Sequence, residues 1–271
     1  MRNLLLFTFL SIVFMVSSCD KNEPQVEPAS DIELNFNANY EGELLLLEKE
    51  YNYEGDIPIK FAQFNFYIAN VALIKQNGGE IEETELLEID FVDFPHNFNE
   101  AAEAEKGQTV RINEIPVGEY DGIRIGFGVP ADLNRTKPND YSSESVMSKS
   151  SHYWDGWSSY IFSKIEGKAD IDKDGAFETN DGEGLAYHMG TDDVYTTRTI
   201  FENLTLTENQ TLNLQLNINL KDLFKMSNPD FDANGDGYLD IENYESVHGQ
   251  DRLEVAKKMM NNFSEATTLD Q

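Results

Sequence analysis

The 271-residue chain carries 50 acidic against 20 basic residues, a formal net charge of −30. A surface so strongly of one sign repels phosphate, which excludes nucleic acid and anionic lipid headgroups as partners and makes cations the natural counterparts. Cys19 is the single cysteine, so no intramolecular disulfide can form.

Residues 1–19, MRNLLLFTFLSIVFMVSSC, place Arg2 ahead of an apolar run from Leu4 to Val16 and small residues ahead of Cys19. That is the pattern of a secretory signal, and the run is shorter than the roughly 20 residues a spanning helix needs. Val16-Ser17-Ser18-Cys19 resembles a bacterial lipobox, with Val where Leu is usual. Residues 1–18 are therefore expected to be a lipoprotein signal peptide and Cys19 the lipidated residue. This implies attachment to the membrane of a bacterial cell envelope, periplasmic or at the outer-membrane surface, since two or more acyl chains give stable anchoring. Residues 19–31, polar with Pro24 and Pro28, read as a tether, and residues 32–271 as one folded domain.

Ile32 to Asn37 alternates apolar and polar residues. In KFAQFNFYIANVALI, the residues Phe61, Phe64, Phe66, Ile68 and Val71 supply the aromatic and β-branched content of a strand. Leu86 to Phe94, Thr109 to Ile115 and Gly122 to Val129 are further strands, the last ended by Pro130.

Both tryptophans fall in Ser151-His152-Tyr153-Trp154-Asp155-Gly156-Trp157, ahead of the run YIFSKIEG from Tyr160 to Gly167. Asp170-Ile171-Asp172-Lys173-Asp174-Gly175 then sets three carboxylates at alternate positions before a glycine, with Glu178 ninth and Asp181 twelfth from Asp170. This is the ligand spacing of an EF-hand-type calcium loop, in which the seventh residue, Ala176, gives a backbone carbonyl. The segment Leu185-Ala186-Tyr187-His188-Met189-Gly190 follows.

Thr211 to Leu220 carries apolar residues at every second position, a strand with one buried and one wet face. A second acidic loop runs Asp232-Ala233-Asn234-Gly235-Asp236-Gly237, with Tyr238 seventh and Asp240 ninth. Its twelfth residue is Asn243 and the carboxylate of Glu242 stands eleventh, so the closing ligand is open. A solvated acidic turn is the alternative for either loop. Neither has flanking helix patterns, so both would act as structural clamps. Asp251 is expected to cap a C-terminal helix whose apolar face carries Leu253, Ala256, Met260 and Phe263. Short strands without a βαβ rhythm make the fold class mainly β: an antiparallel β-sandwich with a C-terminal helix.

Imidazole suits copper and thioether suits copper(I), so His188 and Met189 with His152 or His248 form a candidate first shell. His188 also fits a hydrogen-bonded, half-buried histidine, and Trp154 a core or interface aromatic. His96 and His248, in polar surroundings, read as solvent-exposed. No nucleophile motif, phosphate-binding glycine loop or metalloprotease helix is present, and binding is expected rather than catalysis.

The YW…YIFSKIEG run, the later YHMG, the strand FNFYIANVALI and the strand VGEYDGIRIGFGV together resemble the MbnP-like family, secreted and often lipid-anchored relatives of the methanobactin-associated and methanotroph surface copper proteins. The resemblance spans roughly Ile32 to Phe263. It implies a β-sandwich-like domain, and copper bound through histidines and a tryptophan oxidised to kynurenine by a partner dihaem, peroxidase-like enzyme. On that resemblance Trp154 matches the family's first tryptophan and His188 the histidine of its H-x-G segment. Two departures stand out: Asn37 where many members have histidine in the first strand, and Gly156 where they have a second tryptophan, with Trp157 one place later. The resulting expectation is a lipid-anchored protein that binds or handles copper and carries structural calcium. The alternative is a calcium-stabilised surface module that binds a protein or glycan through the Trp154–Trp157 region, without copper.

Overall fold

The computed structural model describes residues 28–177 and 183–270, apart from the side chains of residues 96 and 97. The signal segment, Cys19, Glu178 and Asp181 lie outside the described residues.

The alternation read at Ile32 continues without a break along β1 (Ala29–Tyr40), which enters its sheet three residues before the expected start of the folded domain. Ile32, Leu34, Phe36, Ala38 and Tyr40 point inward while their neighbours face solvent. Two short strands follow, β2 (Glu43–Leu44) and β3 (Glu50–Tyr53), before the long β4 (Ile57–Asn77) and its hairpin partner β5 (Glu80–Phe94). After α1 (Ala101–Ala104) come β6 (Gln108–Pro116) and β7 (Gly118–Phe127), then α2 (Ala131–Asn134), β8 (Tyr153–Trp154), β9 (Ser159–Ala169) and β10 (Gly184–Gly190). The chain closes with β11 (Thr196–Leu206), β12 (Thr211–Asn219), β13 (Ser246–His248), α3 (Leu253–Ala266) and β14 (Thr267–Asp270).

Two sheets form. The first runs β14-β12-β1, with β6 and β2 sharing the other edge of β1. The second runs β11-β7-β4-β9-β10-β13. β4 is long enough to pair on both edges twice over. β3 and then β5 follow one edge, while β9 takes the first half of the other and β7 the second half. The changeover falls at Tyr67, between Phe66, the last residue paired with β9, and Ile68, the first paired with β7; three residues on, Asn70 adopts φ 48° beside a bulge at Val71–Ala72 and donates through Nδ2 to Tyr195 Oη at 3.0 Å. A bulge bends a strand and raises its twist, so one strand can serve two neighbours in succession.

The sheets are largely antiparallel, as expected, with two parallel exceptions. β1 pairs parallel with β12, setting Leu34 beside Leu214 and Phe36 beside Leu216, and β10 pairs parallel with β13. Local alternation does not specify strand direction, and long connections permit either sense.

Phe36 of the first sheet meets Phe66 of the second edge-on at 5.7 Å. Phe263 of α3 completes this aromatic core, 4.7 Å from Phe66 and 4.9 Å from Phe127 between ring centroids. The helix starts as expected but is not capped by Asp251. Its N-cap is Arg252, without a side-chain cap, because the Asp251 and Arg252 amides both turn back to the carbonyl of His248. Phe263→Ala should destabilise the protein by about 3–5 kcal/mol, through lost burial and the cavity it leaves. Urea unfolding would register this as a lower midpoint at unchanged slope.

Candidate metal centre

Strand β13 brings His248, expected either in solvent or, as the alternative to His152, in the copper shell, against His188. In the parallel ladder His188 of β10 stands directly beside His248 of β13, with ring centroids 5.2 Å apart. That spacing suits two imidazoles sharing one ion through metal–nitrogen bonds of about 2.0 Å.

The tryptophans cover the pair. β8 and the first residues of β9 form a tight hairpin in which Trp154 opposes Ser159 and the Trp157 amide donates to the Trp154 carbonyl at 3.1 Å. The two indoles stack at 4.5 Å with their planes 14° apart. Trp154 lies 5.0 Å from the His248 ring and 6.4 Å from the His188 ring, and is 36% exposed. Gly156 permits this arrangement, since a Cβ there would come within 3.0 Å of Trp154 Nε1. The absence of a side chain at Gly156 thus leaves room for the Trp154 ring. Gly190 serves Trp157 similarly, because a Cβ would sit 2.7 Å from the Tyr160 carbonyl and 3.1 Å from the Trp157 ring.

Glu166 sets the state of His188. It lies on β9 opposite Ala186, diagonal to His188 on the same face, and its Oε1 is 2.7 Å from His188 Nε2. His188 Nδ1 is buried without a hydrogen-bond partner among the described residues. Burial first of all pushes the His188 pKa down; the Glu166 hydrogen bond opposes this, and the Lys164 and His248 charges add to the lowering. A neutral ring that donates Nε2–H to Glu166 keeps the Nδ1 lone pair free, the arrangement that carboxylates enforce on metal-ligating histidines. His248 Nδ1 has only a long contact, 3.4 Å, with Ser246 Oγ.

Two residues of the expected copper set are not brought to this point. Met189 is wholly buried, because neighbours on a strand face opposite sides and His188 takes the outward one. His152 is 5% exposed and has both nitrogens engaged, Nε2 with Asn65 Oδ1 at 2.8 Å and Nδ1 with Ser151 Oγ at 3.1 Å. It packs edge-on against Phe91 at 4.7 Å. Asn37 lies on β1 in the other sheet and donates to Gln215 Oε1 at 3.0 Å.

The two acidic loops share one backbone design. Asp170 accepts from the Asp174 and Gly175 amides at 3.0 and 2.9 Å, and Asp232 from the Asp236 and Gly237 amides at 3.0 Å each. Asp174 accepts from Ala176, and Asp236 from Tyr238, at 2.8 and 2.9 Å. Gly175 and Gly237 both take φ 89°, which an L side chain resists. Asp170, Asp172 and Asp174 bring one oxygen each to within 4.8 Å of one another and could hold a metal ion. Asn234 is exposed on its loop.

Residues 29–244 match the family model described as MbnP. The chain belongs to the MbnP family. Among solved structures, MbnP from Methylosinus trichosporium is similar, with a TM-score of 0.51 at 12% identity over 74% of this chain and 79% of that one. At that identity the likeness is one of fold. No curated protein sequence matches the chain. Within this MbnP-family chain, His248 falls just past the matched segment, and no local pattern marks it as the neighbour of His188. Glu166 was also missed as a partner, since its role depends on the pairing of β9 with β10.

His152 gives the MbnP-family fold an acid sensitivity. Burial chiefly, aided by the charges of Lys164 and Lys149, holds its pKa down at about 3, against an ordinary value of 6.5. The folded state therefore excludes a proton that the unfolded chain accepts. The stability this confers is complete above pH 6.5 and is lost as the pH falls toward 3. Urea unfolding between pH 7 and 4 should show His152→Gln losing less stability than the parent, by a slope of up to about 1.4 kcal/mol per pH unit.

Proposed function

We propose that this MbnP-family protein binds one copper ion between His188 and His248, beneath the Trp154–Trp157 stack, and that it holds or delivers copper rather than catalysing a reaction. The carrying observation is the buried, unpartnered Nδ1 of His188, whose ring centre lies 5.2 Å from that of His248. A donor nitrogen out of water without a partner is unfavourable until an ion or proton meets it. Two neutral imidazoles suit copper, and the family is a copper-associated one. Glu166 would orient His188, and the indoles would exclude water from one side.

Trp154 would be the residue oxidised to kynurenine by a dihaem partner, a reading supported by its exposure and its position over both imidazoles. Intact mass of protein from its native source would then exceed the sequence mass by a few daltons at Trp154, in addition to lipid on Cys19. The lipobox-like segment supports a bacterial envelope location. Among the described residues, no helix is long and apolar enough to cross a membrane. The Asp170 loop would take calcium, a hard cation that prefers carboxylate and carbonyl oxygens.

Copper(I) titration against a chromophoric chelator tests the site. One ion per chain is expected, with binding abolished in His188→Ala and in His248→Ala. Glu166→Gln should weaken binding by about 10–100-fold, the usual effect of removing the carboxylate behind a ligating histidine, with little change in melting temperature. Undiminished copper binding by the double variant His188→Ala/His248→Ala would refute the assignment.

A further inference from the structure

The loop from Asp232 to Asn243 holds a carboxylate that the protein itself leaves incomplete. Asp240 is 6% exposed. Its Oδ2 accepts from Asn243 Nδ2 at 2.7 Å, but its Oδ1 is buried with no hydrogen-bond partner among the described residues. A buried carboxylate oxygen facing no donor is disfavoured until a cation, a proton or a bound water completes it, and beside further carboxylates a cation does so best. Asp240 stands ninth from Asp232, a ligand position in a calcium loop.

The same residue holds the turn that leads into β13. The Asp240 carbonyl accepts from the amides of Asn243 and Tyr244 at 3.2 and 3.0 Å, and its own amide donates to Phe231 at 2.9 Å. Tyr244 returns to the loop through its hydroxyl, which donates to the Asp230 carbonyl at 3.0 Å, and Arg252 ties the Asn243 carbonyl from the far side of β13 at 2.6 Å. The next residue, Glu245, accepts from the Ala186 amide at 2.9 Å, and the chain runs directly into β13. β13 has three residues and lies at the edge of its sheet, paired on one side only. So short an edge strand has little stability of its own, and its register, which places His248 beside His188, depends on what holds its ends.

We propose that the Asp232–Asn243 loop binds a calcium-class divalent cation with Asp232, Asp236 and Asp240 among its ligands, and that this cation fixes β13 so that His248 meets His188. The coupling to copper rests on the histidine-pair reading above, whereas calcium binding by the loop does not. In the absence of the cation, repulsion among the three carboxylates loosens the turn at Asp240, and β13 loses the anchor that sets the position of His248.

The test uses the full folded domain stripped with a calcium chelator, then titrated with calcium chloride. Calorimetry should find a site that Asp240→Asn and Asp232→Asn each remove. Calcium should also change the near-ultraviolet circular dichroism of the Trp154–Trp157 pair, which packs on His248. Copper(I), which has little affinity for carboxylates, should bind more tightly with calcium present by about 5- to 150-fold, the usual range of coupling between two sites. The parent protein alone yields this comparison, so it does not depend on a variant folding. Calcium binding unchanged in both variants would overturn the loop site. A calcium-dependent rise in copper affinity that persisted in Asp240→Asn would overturn the coupling through this loop. Equal copper affinity with and without calcium would overturn the coupling while leaving the loop site standing. Loss of copper binding at every calcium level would refute the histidine pair, with calorimetry and dichroism still reporting on calcium.

Discussion

Pairing along β4 is the constraint from which the rest of the second sheet is built. Its 21 residues carry four other strands in register, and its inward side chains supply Phe61, Phe64 and Phe66 to the core. A slip of one residue would turn those aromatics to the other face and expose them. Because β9 is registered on β4, and β10 on β9, the position of His188 in space is inherited from this central strand. Glu166 and Lys164 inherit theirs in the same way.

The candidate metal centre sits where that inheritance ends, at the β10–β13 edge. An edge is open to solvent and to other proteins, which suits the exchange of an ion. The drawback is weak backbone support, since β13 is bonded on one side. Three features compensate. The Trp154–Trp157 hairpin covers the outer face, Gly190 and Gly249 allow the backbones to approach closely, and the Gly249 amide donates to the His188 carbonyl at 3.2 Å. The imidazoles are thereby kept apart from the aromatic core, on the face that Tyr187 and Met189 leave free.

The acidic character of the chain acts at two scales. Over the whole surface, a net charge of −30 draws cations and repels phosphate. Locally, each acidic loop folds its first aspartate back onto its own backbone amides, and in the first loop Asp170, Asp172 and Asp174 converge although they repel. Convergence of this kind is unfavourable without a counter-charge and favourable with one. Lys221 shows the opposite solution, a buried ammonium satisfied by Glu41 and Glu54 at 2.5 and 2.8 Å.

The sequence by itself determined the class of fold, the spans of most strands, the C-terminal helix, the glycine-turned acidic loops and the candidacy of Trp154 and His188. Each of these is written in local periodicity or in the spacing of a few neighbouring residues. Met189, expected beside His188 as a ligand, instead joins Leu185 and Tyr187 on the buried face of β10, since adjacent residues of a strand face opposite sides. Tertiary structure alone decided that β10 and β13 run parallel, that His248 rather than His152 stands beside His188, and that Glu166 holds its far nitrogen. The physical reason is that strand pairing joins segments distant in the chain through backbone groups that every residue carries. Side-chain pattern states which face of a strand is buried but not which strand lies beside it.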